Sequence, residues 1–122
     1  MPEKLVGGYS LADAKKWAES LTTSIKSGAY KSEASEWLEG IELSDPVTSS
    51  MIWAQEANSY VCTTVLPDGV NGVQGKELNG TYFQKAVPVI ELQIARAGYR
   101  YVIMLLLDTV LTWVSGWQLG WT

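Results

Sequence analysis

The chain has 122 residues, a length that fits one domain, with 47% hydrophobic residues and a formal net charge of −4. A charged fraction of 18%, with six Trp and six Tyr, argues against intrinsic disorder. Its nine Lys and Arg residues are spread along the sequence, whereas binding to a phosphate backbone draws on clustered cations. We therefore expect no autonomous nucleic-acid binding. With no His and one Cys, the chain is also expected to hold no cofactor of its own, since a zinc site needs about four ligands.

The first predicted element is an amphipathic helix that begins after Ser10. Ser10 is a favourable N-cap residue, and Gly28 is a typical C-terminal stop. Asp13, Lys16 and Glu19 lie off the apolar face and are interpreted as solvated charges. The apolar face, with residues three and four apart, contains Leu11, Ala14, Trp17, Ala18, Leu21 and Ile25.

Two further helical segments are predicted in the middle of the chain. Residues 32–38 form a short helical stretch, and its Trp37 is expected in the core. The next helix starts at Asp45 and Pro46, where a capping side chain precedes a proline at the first helical position, and it ends at Pro67. Turn-forming residues then predict a loop over residues 67–79.

The last predicted helix begins near Thr81, with Pro88 either kinking it or marking its effective start. Glu91 and Arg96 lie off its apolar stripe and are expected to face solvent or to pair helices. The stripe itself consists of Val87, Ile90, Ile94, Ala97 and Tyr101. Four or five helices and no convincing strand predict an all-α domain.

Four segments carry a resemblance to a known family. Residues 4–8 read KLVGG, residues 11–17 read LADAKKW, residues 52–69 read IWAQEANSYVCTTVLPDG, and residues 86–100 read AVPVIELQIARAGYR. In this order and spacing they resemble consecutive segments of the S1/P1 zinc-dependent nucleases. The resemblance covers residues 1–100 and concerns the C-terminal half of the family pattern.

The resemblance implies an orthogonal helical array like the C-terminal part of the S1/P1 nuclease and zinc-dependent phospholipase C fold. The family is secreted and cuts single-stranded DNA and RNA with three zinc ions, which activate water for attack on phosphorus. Its last zinc ligands would lie just upstream of Met1, so no catalytic or metal residue carries over to this sequence. We therefore expect a scaffold portion that is inactive alone and whose partner could be the missing N-terminal half.

Two single residues are candidate modification sites. In the family, the cysteine matching Cys62 resembles one half of a disulfide, so Cys62 is either an unpaired thiol or, as free cysteines often are, a small buried hydrophobe. Asn79 begins an Asn-Gly-Thr glycosylation sequon, which matters only for an exported chain. The polar first residues contain no secretory signal, which predicts a cytoplasmic chain.

Residues 101–122 form a divergent apolar tail, expected to be helical, where the resemblance stops. Its length approaches that of a membrane span, but Asp108 lies in its middle, and a central carboxylate costs about 3 kcal/mol. Three interpretations stay open: a deeply buried helix, an interaction tail, or a non-homologous extension. The second supports an alternative function, a non-enzymatic protein that binds a membrane, a partner or its own copies. The candidate interaction residues are Val102, Ile103, Leu105, Leu106 and Trp113.

Overall fold

The computed structural model describes residues 5–119, with side chains as far as Val114. Three α-helices organise this part of the chain: α1 (Leu11–Lys26), α2 (Pro46–Tyr60) and α3 (Thr81–Leu119). Short 3-10 turns at Ala34–Leu38 and Val70–Gly72 and a π-helical turn at Val61–Val65 connect them. No strand occurs among the described residues, and the predicted all-α class is confirmed. The helix count is slightly lower than expected, because the stretch around Trp37 winds as a 3-10 turn.

A capping box starts α1. The Ser10 hydroxyl accepts a hydrogen bond from the Asp13 backbone N–H at 3.1 Å, and the Asp13 carboxylate accepts one from the Ser10 N–H at 3.4 Å. Ser10 is therefore the N-cap, as predicted, and Asp13, interpreted from the sequence as a solvated charge, completes the capping box through exposed hydrogen bonds. The helix ends at Lys26, where the Gly28 N–H donates to the Thr23 carbonyl.

The start of α2 also follows the prediction. The Asp45 carboxylate accepts a hydrogen bond from the Thr48 N–H at 3.1 Å, and Pro46 occupies the first turn. Hydrogen bonds from the Thr48 side chain and backbone hold the pKa of Asp45 below its ordinary value. After Tyr60 the chain continues as the π-helical turn and leaves helical geometry at Leu66, next to Pro67.

α3 is one continuous helix of 39 residues, about 58 Å long at 1.5 Å per residue. It begins at Thr81, as predicted, and Pro88 lies inside it. Pro88 is therefore not the effective start of the helix. The helix also runs without a break through residue 100, where the divergent tail was expected to begin.

A small core forms where the Ala34–Leu38 turn packs on α3. Trp37 is 4% exposed, which confirms its predicted core position, and its ring makes edge-to-face contacts with Tyr30 and Tyr99 at centroid distances of 5.6 and 5.7 Å. The buried cluster consists of Ala34, Trp37 and Ala95, with Ile25, Tyr30, Leu92 and Tyr99 packed against it.

α3 carries two apolar stripes, and only one is covered. The residues that pack on the core are Leu92, Ala95 and Tyr99, three and four positions apart. The stripe singled out from the sequence lies on another face, where Ile90 is 37% and Ile94 44% exposed. The stripe of Leu92, Ala95 and Tyr99 faces the core because Trp37 packs against that side of α3.

Candidate functional site

The most connected polar group joins α2, α3 and the Ala34–Leu38 turn. The Arg100 guanidinium donates to both carboxylate oxygens of Glu56, at 3.1 and 2.7 Å, and its Nε donates to the Trp37 carbonyl at 2.9 Å. Its Cζ lies 5.6 Å from the centre of the Trp53 ring. Arg100 is 8% exposed, and this bidentate pairing satisfies a charge that would be costly to bury alone.

Arg96 extends this group along α3. Its guanidinium lies 3.3 Å from the Glu56 carboxylate and donates to the Tyr60 hydroxyl at 3.2 Å. The sequence left two roles open for Arg96, facing solvent or pairing helices. The structure shows the second, because Arg96 on α3 contacts Glu56 and Tyr60 on α2. Both arginines are engaged with one carboxylate, so the cluster clamps α2 to α3 and presents no free nucleophile or base. Sequence reasoning missed Arg100, because no local pattern indicates its distant partner.

Glu91 links α1 to α3. Its carboxylate accepts a hydrogen bond from the Trp17 indole Nε1 at 3.4 Å. It also faces Tyr30, where burial raises the pKa of the Tyr30 phenol and the Glu91 and Glu33 carboxylates raise it further. Glu91 was likewise expected either to face solvent or to pair helices. The structure shows helix pairing, because Glu91 on α3 accepts the hydrogen bond from Trp17 on α1.

An apolar groove opens beside this link. It has a volume of about 480 Å³ and is bounded by the N-terminal segment, α1, the loop before α3 and the first part of α3. Among the described residues that line the groove none is charged, so these residues offer apolar contact area. It is lined by Leu5, Val6, Trp17, Leu78, Tyr82, Phe83, Ala86, Ile90 and Ile94.

Metal ligands do not converge in the part of the chain that the structure describes. Residues 5–119 contain no group of three or more His, Cys, Asp or Glu side chains that could hold an ion.

The two candidate modification residues are both exposed. Cys62 lies in the π-helical turn as a free, exposed thiol, so the interpretation as a buried hydrophobe was wrong. The wider π-helical turn changes the direction of successive side chains, which helical spacing could not predict. Asn79 lies in the loop directly before α3, where its side-chain amide donates to Glu77 at 2.5 Å. Thr81 of the sequon is the first residue of α3.

As far as Val114, the described part of the tail continues α3 and is largely exposed. Val102, Leu105, Leu106 and Trp113 are exposed, and Ile103 is half-buried. The interpretation as a deeply buried helix was therefore wrong for residues 101–114, none of which is buried. Leu43 lines a groove beside Met104 and Leu111 but does not cover them. By length and composition Thr81–Val114 could cross a membrane, and 6% of its most apolar window is buried. Residues 115–122 of the predicted tail lie outside the described side chains.

Comparison with known proteins identifies the class to which this helical chain belongs. The family model described as S1/P1 Nuclease matches residues 1–110, which is most of the chain. The chain therefore belongs to the S1/P1 nuclease family, as the four sequence segments indicated.

Similar proteins come from fungi. The chain is 52% identical over 100 residues to Nuclease S1 of Aspergillus oryzae (strain ATCC 42149 / RIB 40). This match covers 82% of the present chain and 35% of Nuclease S1. It is 45% identical over 100 residues to Nuclease P1 of Penicillium citrinum and to Nuclease PA3 of a Penicillium species, each match covering 82% of this chain and 37% of the relative. The chain thus spans about a third of the length of the curated relatives it matches.

Proposed function

We propose that this chain is the C-terminal scaffold portion of an S1/P1-type endonuclease that acts on single-stranded DNA and RNA, and that it is not catalytic alone. The observation that carries the proposal is the match to about a third of Nuclease S1 by a sequence that contains no His. Zinc sites are built mainly from His, Cys and carboxylate ligands. The zinc ions and the chemistry would then belong to the remaining part of a family protein.

The exposed surface supports a scaffold that packs against something larger. The chain exposes 9050 Å². A compact monomer of 13.4 kDa exposes about 6,500 Å², so the excess is about 2,500 Å². Among the described residues only Leu21, Ala34, Ser49, Trp37, Ala95 and Arg100 are buried. This chain therefore covers little of its own apolar surface.

The clamp between α2 and α3 supports the same role. Arg96 and Arg100 both form ion pairs with Glu56. Arg100 also donates a hydrogen bond to the backbone of the Ala34–Leu38 turn. Such a cluster fixes the relative position of helices and offers no group for acid-base work. Its contribution to an enzyme would be a rigid support for residues supplied by another part of the protein.

A nuclease assay tests the proposal. The purified full chain is incubated with single-stranded DNA and with RNA in the presence of zinc, beside Nuclease S1 as the positive control and a mock preparation as the blank. We expect hydrolysis equal to that of the blank. Zinc-dependent turnover above the blank would overturn the proposal that the chain is not catalytic alone.

The exposed tail favours one alternative function, a non-enzymatic interaction protein. Tyr101, Val102 and Leu106 are each more than half exposed on a helix whose length and composition could cross a membrane. In that case the full chain floats with phospholipid vesicles, whereas a version ending at Arg100 does not. Equal behaviour of the two versions removes the tail from membrane binding.

A further inference from the structure

We infer that residues 101–119, the last part of α3, cross a phospholipid bilayer as a single transmembrane helix. This inference does not depend on the proposed scaffold function, which concerns the helical region before the tail. It rests on the alternative interaction function and deepens it, because it names the partner, a bilayer, and the mode of binding, a complete span.

The tail is apolar around its whole circumference. Residues 104–107 are one Met and three Leu in succession, and each is between 39% and 57% exposed. Successive residues of an α-helix are turned by about 100°, so these four side chains project to all sides of the helix. A groove on a partner protein, or a second copy lying alongside, covers only one side. A lipid phase covers every side at once, and a helix that is apolar all round fits that environment.

The length of the tail matches the apolar thickness of a bilayer. The backbone of α3 is helical as far as Leu119, so residues 101–119 extend about 28 Å at 1.5 Å per residue. The hydrocarbon core of a typical bilayer is about 30 Å thick. Tyr101 lies at the first end and is 63% exposed, and Trp117 lies near the other end in the sequence. Aromatic residues at both ends are typical of membrane-spanning helices.

The threonine hydroxyls of the tail form hydrogen bonds within the helix. The Thr109 hydroxyl donates to the Leu105 carbonyl at 2.8 Å, and the Thr112 hydroxyl donates to the Asp108 carbonyl at 2.5 Å. Hydrocarbon supplies no water to such groups, so internal bonds of this kind are what a spanning helix requires. Asp108 is the only charged residue between positions 101 and 122, and its carboxylate opposes insertion.

Arg100 marks the boundary between the helical region and the tail. Its guanidinium is held by the Glu56 carboxylate and the Trp37 carbonyl, so its charge is paired on the protein side of the boundary. The next residue, Tyr101, begins the exposed apolar run. Because α3 is one continuous helix, a span that starts here holds the contact between Arg100 and Glu56 directly at the membrane surface.

Depth-dependent fluorescence quenching tests the inference. Single cysteines are introduced into a Cys62→Ser chain by Val102→Cys, Leu106→Cys, Val110→Cys or Val114→Cys, and each is labelled with an environment-sensitive fluorophore. The wild-type chain labelled at Cys62, which is exposed in the π-helical turn, is the matched control. Each full-length protein is reconstituted into phosphatidylcholine vesicles that carry a nitroxide quencher either near the headgroup or near the end of the acyl chain.

We expect the depth of the label to change along the tail. The four tail positions are four residues apart, so each step moves about 6 Å along the helix. The chain-end nitroxide should quench a label at position 110 about threefold more strongly than one at position 102, and it should not quench a label at Cys62. Equal quenching at all four positions, mainly by the headgroup nitroxide, would show a helix lying on the surface. Labels shielded from water but insensitive to both quenchers would show a protein partner or a second copy. Either result would overturn the inference.

Two substitutions test insertion through charge. Leu106→Asp adds a second carboxylate and should lower about tenfold the fraction of chain that resists alkaline carbonate extraction from vesicles, whereas Asp108→Leu should raise that fraction. Leu11→Asp makes the first change at an 85% exposed position outside the tail and should leave the fraction as in the wild-type chain. Far-UV circular dichroism of each variant checks that helix content is retained.

Equal extraction of the wild-type chain and of the two tail variants would also contradict a span. Flotation of the chain with vesicles but a flat depth profile would retain the alternative function and remove only the transmembrane span. The nuclease assay of the chain alone decides the scaffold proposal separately.

Discussion

Arg100 and Glu56 form a two-point contact, with hydrogen bonds of 3.1 and 2.7 Å between the guanidinium and the two carboxylate oxygens. A third bond from the same guanidinium reaches the Trp37 carbonyl, so one side chain ties α3 both to α2 and to the turn that carries the core tryptophan. The helical scaffold therefore depends on a partly buried ion pair as well as on apolar packing.

Replacing Arg100 by Ala should lower the free energy of unfolding by about 2–4 kcal/mol, because it leaves the Glu56 carboxylate and the Trp37 carbonyl without their donor. Urea unfolding followed by circular dichroism measures the change. Arg100→Lys should recover only part of the loss, since an ammonium group cannot reproduce the fork of donors. Lys85→Ala, on the exposed side of the same helix, is the control, and an equal loss there would contradict the role of the pair.

Trp37→Ala should cost about 3–5 kcal/mol, because it removes the largest side chain of the small core and its contacts with Tyr30 and Tyr99. Trp37→Phe retains an aromatic ring and should cost less. Thermal melts of both variants show which of the two substitutions lowers the melting temperature more. If the two variants melt at the same temperature as the wild-type chain, the cluster does not stabilise the fold.

Ser10→Ala should destabilise the chain by about 1 kcal/mol through loss of the capping box with Asp13. Ser20→Ala makes the same change in the middle of α1 at an exposed position, where Ala is the better helix former, and should be neutral or slightly stabilising. Urea unfolding of the two variants compares them directly. A cap role for Ser10 is refuted if the two substitutions have the same effect.

Acid should weaken the start of α2. Hydrogen bonds from Thr48 hold the folded-state pKa of Asp45 below its ordinary value of 3.8. A lowered folded-state pKa means that this contribution to stability is present above 3.8 and is lost as pH falls through the folded-state value. The melting temperature of Asp45→Asn should therefore fall less than that of the wild-type chain over this acidic range. Parallel pH profiles of the two proteins would contradict this assignment.

Cys62 should react with a thiol reagent in the folded chain at a rate close to that of the unfolded chain, because its side chain is free and exposed. Cys62→Ser should change the free energy of unfolding by no more than about 0.5 kcal/mol. Spectroscopic titration in the presence and absence of urea measures the two rates. Strong protection in the folded state would show that the thiol is covered.

Local signals were sufficient for the helix starts. Ser10, Asp45 with Pro46, and Thr81 were all identified correctly, because capping depends on neighbours within three residues. The core position of Trp37 was also predictable from helical spacing. The helix starts follow from short-range stereochemistry, which a sequence displays directly.

Long-range features were not predictable. α3 has two apolar stripes, and spacing alone cannot decide whether Ile94 or Ala95 faces the core, because that choice depends on where Trp37 lies in space. The pairing of Arg100 with Glu56, 44 positions apart, leaves no local pattern. The exposure of Cys62 depends on a π-helical turn that no sequence signal announced. The cytoplasmic location and the glycosylation of Asn79 stay predictions.

Pro88 divides α3 in a way that affects the groove. A proline has no backbone N–H, so the carbonyl of Gln84 receives no hydrogen bond from position 88. The first two turns, which carry Tyr82, Phe83 and Ala86, are therefore joined to the rest of the helix by one backbone bond fewer. Amide hydrogens in these turns should exchange with solvent before those around Ala95. One wall of the groove is thus carried by a part of α3 that opens more readily than the turns around Ala95.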